Sequence, residues 1–232
     1  VADSPKEAVR MAVMAGVDMS MVPTDLSFYE LLLELAKDGK VPMSRIDEAV
    51  SRILYVKMKI GLFENPYPDK TYLSKFATKE NTQANLDAAH ESVVLLKNDK
   101  NILPLKKDKK VFVTGPTSNL RSALNGGWTI TWQGNEESLM QMDKKTVVEA
   151  MVSEVSSKKI IFNEGCSFDK MLDVDNAVKL AKESDVVVLC LGESAYCETP
   201  GNITDLTLPK AQLDYAKKII ATGKPVVLVM LE

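Results

Sequence analysis

"DNAVKLAKESDVVVLCLGESAYCETPGN", residues 175–202, reads as three things in succession. The first ten residues place Ala177, Leu180 and Ala181 on one side of a helix, with charged residues between them. The run Val186 to Leu191 is apolar and β-branched, bounded by Asp185 and Gly192, and reads as a strand buried on both faces. "GESAYCETPGN" (192–202) is then the loop leaving that strand, and it carries two carboxylates, Glu193 and Glu198. A helix leading into a fully buried strand is half of a βαβ unit, so its partners must lie elsewhere in the chain.

They are found on both sides. "KVFVTG" (110–115), "KIIFNEG" (159–165) and "KPVVLVML" (224–231) are short apolar strands. "TVVEAMVSEV" (146–155) and "LPKAQLDYAKKIIATG" (208–223) read as helices, the second with Pro209 near its first turn and Gly223 at its end. From residue 110 the chain therefore alternates strand and helix. That alternation predicts a parallel sheet covered on both faces and joined by right-handed crossovers.

Upstream the rhythm is helical. Ser4-Pro5-Lys6-Glu7 reads as a capping box with proline at the first helical position, opening a helix that ends near Gly16. Val17 to Val22 alternates weakly and suggests a short strand stopping at Pro23. "SFYELLLELAKDGK" (27–40) is a helix closed by Gly39. A second cap signal spans Ser44 to Asp47, and the helix after it aligns Ile46, Val50, Ile53, Leu54 and Met58 on one face. "LFENPYPDKTYL" (62–73) has two prolines and no periodicity and reads as a linker. A helix over Thr78 to Asn98 follows, carrying His90 as a partly buried residue.

The chain has 232 residues, 45% of them apolar and 26% charged, with a formal net charge of -3. Such a balance gives no electrostatic footprint for nucleic acid or an anionic membrane, so neither is expected as a partner. No apolar run approaches the roughly 20 residues that span a bilayer. Cys166, Cys190 and Cys197 show neither metal-ligand spacing nor an even-numbered framework, and read as free thiols. One histidine supports no His-based metal cluster, and no metal or other cofactor is expected. There is no GxGxxG or Walker A sequence, which disfavours a nucleotide-binding module. Asn202-Ile203-Thr204 fits a glycosylation acceptor, a pattern common by chance.

In open parallel sheets, ligands bind beyond the carboxyl ends of the strands. Two loops there have unusual contents. "NGGWTITWQG" (125–134) holds both tryptophans, Trp128 and Trp132; the other is the acidic loop already quoted. Indole faces stack on the apolar faces of sugars, and carboxylates bond hydroxyls or move protons. The plainer alternatives are packing anchors for the tryptophans and solvated loop acids for the glutamates.

Five blocks in order, "AGVDMSMVP", "GKVPMSRIDEAVSRILYVKMKIGLFENPY", "AAHESVVLLKND", "LNGGWTITWQG" and "GESAYCETPGNITDLTLP", resemble glycoside hydrolase family 3, a family of β-glucosidases, exo-β-glucanases and β-xylosidases. The resemblance implies an α/β protein: the C-terminal end of a (β/α)8-type barrel domain over 1–63, a linker over 64–84, and a mostly parallel α/β sandwich over 85–232, truncated at its C-terminal end. It implies a retaining mechanism with an aspartate nucleophile and a glutamate acid/base, their carboxyl groups about 5–5.5 Å apart. On this resemblance Glu198, in Tyr196-Cys197-Glu198-Thr199, matches the acid/base. Trp132 matches the indole stacking on the sugar beyond the scissile bond, and Met21 a residue near the bound sugar. Glu193 is read as ordering the loop. His90 stands where arginine is usual, and Cys197 where a small residue or threonine is usual.

The nucleophile's Ser-Asp-Trp motif is absent from the sequence, and Asp18 belongs to the block that follows it in the family. The chain is thus expected to be an internal piece of a longer enzyme, its partners being a glucoside or oligosaccharide and the remainder of that enzyme. The resemblance favours a periplasmic or secreted location over a cytoplasmic one and is compatible with a homodimer. The alternative is a carbohydrate-binding fragment without catalysis. The isolated chain is expected to show no measurable glycosidase activity, because loss of one essential carboxylate removes several orders of magnitude of rate. Turnover of an aryl β-glucoside by the purified chain at the rate of an intact enzyme would overturn this.

Overall fold

The computed structural model describes residues 2–22, 24–155 and 157–231. The chain forms two compact units, Val1–Val94 and Leu95–Glu232.

The first unit is helical among the described residues. It contains α1 (Pro5–Met14), α2 (Ser27–Lys37), α3 (Met43–Lys59) and α4 (Lys79–Ser92). Ser4 caps α1 by accepting from the Glu7 N–H, with Pro5 in the first turn. The reciprocal half of the expected capping box is replaced: the Glu7 carboxylate takes both Arg10 bonds, at 2.8 and 2.6 Å. Val9 and Val13 of α1 meet Leu35 of α2 and Val41 in a small core, with Phe28, Leu31, Leu32 and Ile46 around it.

Several sequence expectations fail here. Val17–Val22 forms no strand, because the helices around it offer no backbone partner; Pro23, where that strand would stop, lies outside the described residues. Instead Asp18 anchors the segment. Arg45, buried, donates to the Val13 carbonyl at 2.8 Å and to Asp18 at 2.6 Å, and Arg52 lies 3.3 Å from the same carboxylate. The Arg45 hydrogen bond holds the Asp18 carboxyl below its usual range. The cap expected at Ser44 is not used. Pro42, in extended backbone, starts α3 two residues earlier. Of the apolar stripe on α3, Ile46 joins the core while Val50, Leu54 and Met58 are exposed. The last helix is capped by Thr78 but ends at Ser92, because Val93 turns to extended backbone; His90 is helical and exposed.

The second unit follows the predicted alternation closely. It runs β1 (Val111–Thr114), α5 (Val147–Glu154), β2 (Ile160–Phe162), α6 (Val174–Lys182), β3 (Val186–Gly192), α7 (Lys210–Ile220) and β4 (Val226–Leu231). All three pairings are parallel, in the order β2-β1-β3-β4. Period two splits the strands between two cores. Phe112, Val187, Leu189 and Leu191 face α6 and α7, with Ala177, Ala181, Tyr215 and Ile219. Val111, Val113, Val186, Val188 and Cys190 face the other way, with Val147, Val148 and Met151 of α5. The crossover to β2 runs one way along the sheet over one face. Those to β3 and β4 run the other way over the opposite face, so all share one hand, as the right-handed rule requires.

Every residue of β3 is buried. Cys166 and Cys190 are free and buried, and burial pushes both thiols up to about 12. Where β1 ends, Gly115 takes a φ of +103°, and a Cβ there would lie 2.0 Å from the Cys190 carbonyl oxygen. The chain must leave β1 hard against β3, and only glycine permits both the dihedral and the approach. Gly115→Ala should lower the unfolding free energy of the chain by about 2–4 kcal/mol. Gly126→Ala, with nothing within 4 Å of the added carbon, should change it by less than about 0.5 kcal/mol. Urea unfolding of both variants checks the contrast.

Candidate active site

β1 passes the chain to β2 on one side and pairs β3 on the other. The loops leaving β1 and β3 therefore diverge, and the sheet has its topological switch point between them. The tryptophan loop and the acidic loop depart from these two strand ends.

The tryptophan loop hangs on a buried arginine. Arg121 donates to both carboxylate oxygens of Glu149 at 2.8 Å and to the Lys144 carbonyl at 2.8 Å. Glu137 returns the favour to the backbone, accepting from the N–H groups of Arg121 and Ser122 at 3.1 and 2.8 Å. Asn125 bonds the Arg121 carbonyl at 2.7 Å. Beyond it the chain closes tightly: the Trp128 N–H donates to the Trp132 carbonyl at 2.8 Å, and Trp128 and Ile130 both sit at φ +63°. Both indoles are exposed.

The acidic loop is held near both ends by glutamine side chains. Gln212 of α7, fully buried, accepts from the Gly192 N–H at 3.1 Å and donates to the Gly192 carbonyl at 2.9 Å, with a further bond to the Phe168 carbonyl. Gln133 treats Cys197 the same way: its Oε1 accepts from the Cys197 N–H at 3.0 Å and its Nε2 donates to the Cys197 carbonyl at 3.3 Å. The Cys197 thiol donates to the Trp132 carbonyl at 3.0 Å. Gly127 completes the contact, since a Cβ there would lie 2.5 Å from that of Cys197.

Glu198 follows directly, at φ +53° and ψ -134°. A non-glycine residue there stores strain on the order of 1–3 kcal/mol, held by its neighbours. Its Oε2 accepts the Trp132 indole N–H at 3.0 Å. Glu193 is engaged differently: it accepts the Tyr196 hydroxyl at 2.8 Å, and this bond raises the Tyr196 phenol above its ordinary range. A cavity of about 270 Å3 lies on the Glu193 side of the loop, lined by Asn125, Gly126, Glu193, Ser194, Tyr196 and Leu231 among others.

Of the residues expected from sequence, Glu198 and Trp132 are thus in direct contact. Met21 belongs to the other compact unit, where its side chain is almost fully exposed in the irregular segment after α1. The two glutamine clamps were not anticipated. For Gln212 a signal existed: it shares the buried stripe of α7 with Tyr215 and Ile219, where a polar side chain needs a partner. Gln133 gave none. Gln212→Leu would leave both polar groups of the buried Gly192 unpaired and should lower the unfolding free energy by about 2–4 kcal/mol, read by urea unfolding of the chain.

The comparisons with known proteins bear on the family and the fold. The family model described as glycosyl hydrolase family 3 C-terminal domain matches residues 93–232, and that of the N-terminal domain matches residues 1–56. A lysosomal beta glucosidase of Dictyostelium discoideum is 39% identical over 242 residues, covering 100% of this chain and 29% of that protein. A periplasmic beta-glucosidase of Salmonella typhimurium is 34% identical, covering 99% of this chain and 33% of that protein. The crystal structure of a beta-glucosidase from Listeria innocua in complex with gluconolactone superposes with a TM-score of 0.79 at 31% identity, covering 99% of this chain and 31% of that one. The chain therefore spans about a third or less of the length of these relatives.

Proposed function

We propose, from the premise that this chain belongs to glycoside hydrolase family 3, that it forms part of a retaining β-glycosidase acting on terminal β-D-glucosyl or related residues, with Glu198 as acid/base. Trp132 supplies the stacking surface for the sugar, and Met21 borders the bound sugar. The nucleophile comes from a part of the enzyme outside residues 1–232, so the isolated chain is inactive. Its domains are the end of a barrel over 1–63, a linker over 64–84 and a sandwich over 85–232.

One observation carries the assignment of Glu198 over Glu193: the Glu198 carboxylate is oriented by the Trp132 indole N–H at a switch-point crevice, while Glu193 is occupied by Tyr196 within its own loop. A proton donor must be held at a fixed angle to the leaving oxygen, and an indole that also faces the sugar provides that. In the first step the nucleophile's carboxylate forms a bond to the anomeric carbon as Glu198 gives its proton to the departing oxygen. In the second, Glu198 takes a proton from water, which attacks the glycosyl ester and releases the sugar with retained configuration.

The test uses the intact enzyme. Glu198→Ala should slow a disaccharide, whose leaving group needs the proton, by roughly 100- to 10,000-fold. An activated aryl β-glucoside should lose less in its first step. Its glycosyl-enzyme should accumulate, and added azide, which needs no base, should release a glycosyl azide of retained configuration. Glu193→Ala should show neither effect. Azide rescue of Glu193→Ala and not of Glu198→Ala would move the acid/base to the other end of the loop.

A further inference from the structure

The acid/base reading leaves one question of position. Glu198 sits in a backbone conformation that L-residues rarely adopt, on an exposed loop, yet its carboxylate must be placed to a fraction of an ångström. Among the described residues its own side chain receives a single bond, from Trp132. The backbone just before it receives much more.

Gln133 spans the gap between the two loops and pairs with both polar groups of Cys197, at 3.0 and 3.3 Å. The side-chain amide thereby acts as one rung of a ladder between segments that no regular backbone pairing joins among the described residues. Two features keep that rung in register. The Cys197 thiol is tied to the Trp132 carbonyl at 3.0 Å, and that same carbonyl is tied to the Trp128 N–H at 2.8 Å. The absence of a side chain at Gly127 lets Cys197 approach closely. Fixing both the N–H and the carbonyl of Cys197 fixes the orientation of the peptide leading into Glu198, and so the direction in which its side chain leaves the loop.

We infer that Gln133 is a positioning residue for the acid/base: it touches no reacting atom, but it sets the orientation of Glu198 through the Cys197 peptide. The inference rests on the reading of Glu198 as acid/base and adds a residue to it. Gln212 makes the same kind of pair at Gly192, five residues before Cys197, where it is fully buried at the end of β3. That clamp belongs to the core. The one at Cys197 lies on a partly exposed loop and governs a functional angle.

The experiment uses the intact enzyme with Gln133→Leu, which keeps a branched side chain of similar bulk and removes both hydrogen bonds. With a β-linked glucose disaccharide, kcat should fall roughly 10- to 100-fold. With an aryl β-glucoside whose leaving group needs no proton, the rate of the first step should fall less than about threefold, and azide should raise turnover. The thermal midpoint should stay within a few degrees of the parent. Gln133→Glu, which retains the acceptor for the Cys197 N–H and loses the donor to its carbonyl, should lie between the two on the disaccharide. It also serves if Gln133→Leu does not fold. Glu198→Ala is run beside them. If Glu198→Ala shows leaving-group dependence and azide rescue while the folded Gln133 variants lose activity equally on both substrates, or not at all, this inference fails and the acid/base reading stands. If Glu198→Ala itself lacks that signature, the acid/base reading fails and the inference falls with it.

Discussion

The second unit depends on the contact between β1 and β3. Those strands run parallel from Val111↔Val186 to Thr114↔Leu189, and β1 leaves the pair through a glycine pressed against the Cys190 carbonyl. Because β2 lies on the far side of β1, the chain must diverge at this point. A crevice is then a topological necessity, and loops of any composition would border it. This chain gives those loops two indoles and two carboxylates. The backbone there is already costly, with non-glycine residues at positive φ in both loops. Such strain persists only where the surroundings over-determine it, and the surroundings here are the Arg121 network below one loop and the paired glutamines beside the other.

Much of this fold can be read from the sequence because parallel βα units leave a plain periodic signal. Val186–Leu191 is buried on both faces and so is apolar without interruption, and α6 and α7 each show a buried stripe. The helical unit is less legible. Val17–Val22 has strand-like residues but no neighbouring strand, and Asp18 spends its charge on two arginines. The stripe on α3 satisfies helical spacing, yet spacing does not say what covers it, and Val50, Leu54 and Met58 are exposed. Pro42 overrides the cap signal at Ser44, since its fixed φ sets the turn first.

The site divides in the same way. Position at a ligand-binding edge follows from strand order, and aromatic and acidic contents follow from composition. What sets the two acids of the second loop apart follows from neither. Glu193 and Glu198 are five residues apart on one loop and face different partners, a tyrosine hydroxyl in one case and an indole N–H from another loop in the other, and of the two only Glu198 sits at positive φ. The indole contact spans 66 residues of sequence, so no helical or strand period reports it; in the sequence only the Tyr196–Thr199 stretch of the family resemblance sets Glu198 apart from Glu193. The Gln133 clamp is hidden in a similar way: the residue lies in a stretch that the family resemblance uses, but an amide that pairs with a distant peptide has no period to reveal its partner.

Consider finally what the meeting of Gly127 with Cys197 asks of inheritance. The space for one β-carbon is shared between two positions 70 residues apart, and whichever loop takes it denies it to the other. A lineage that enlarges residue 197 must keep residue 127 bare. One that adds a methyl at 127 must strip residue 197 or let the loops part, carrying Trp132 away from Glu198. At this point the two loops are therefore coupled in size: a side chain added at 127 calls for a smaller one at 197 if the contact between Trp132 and Glu198 is to be kept.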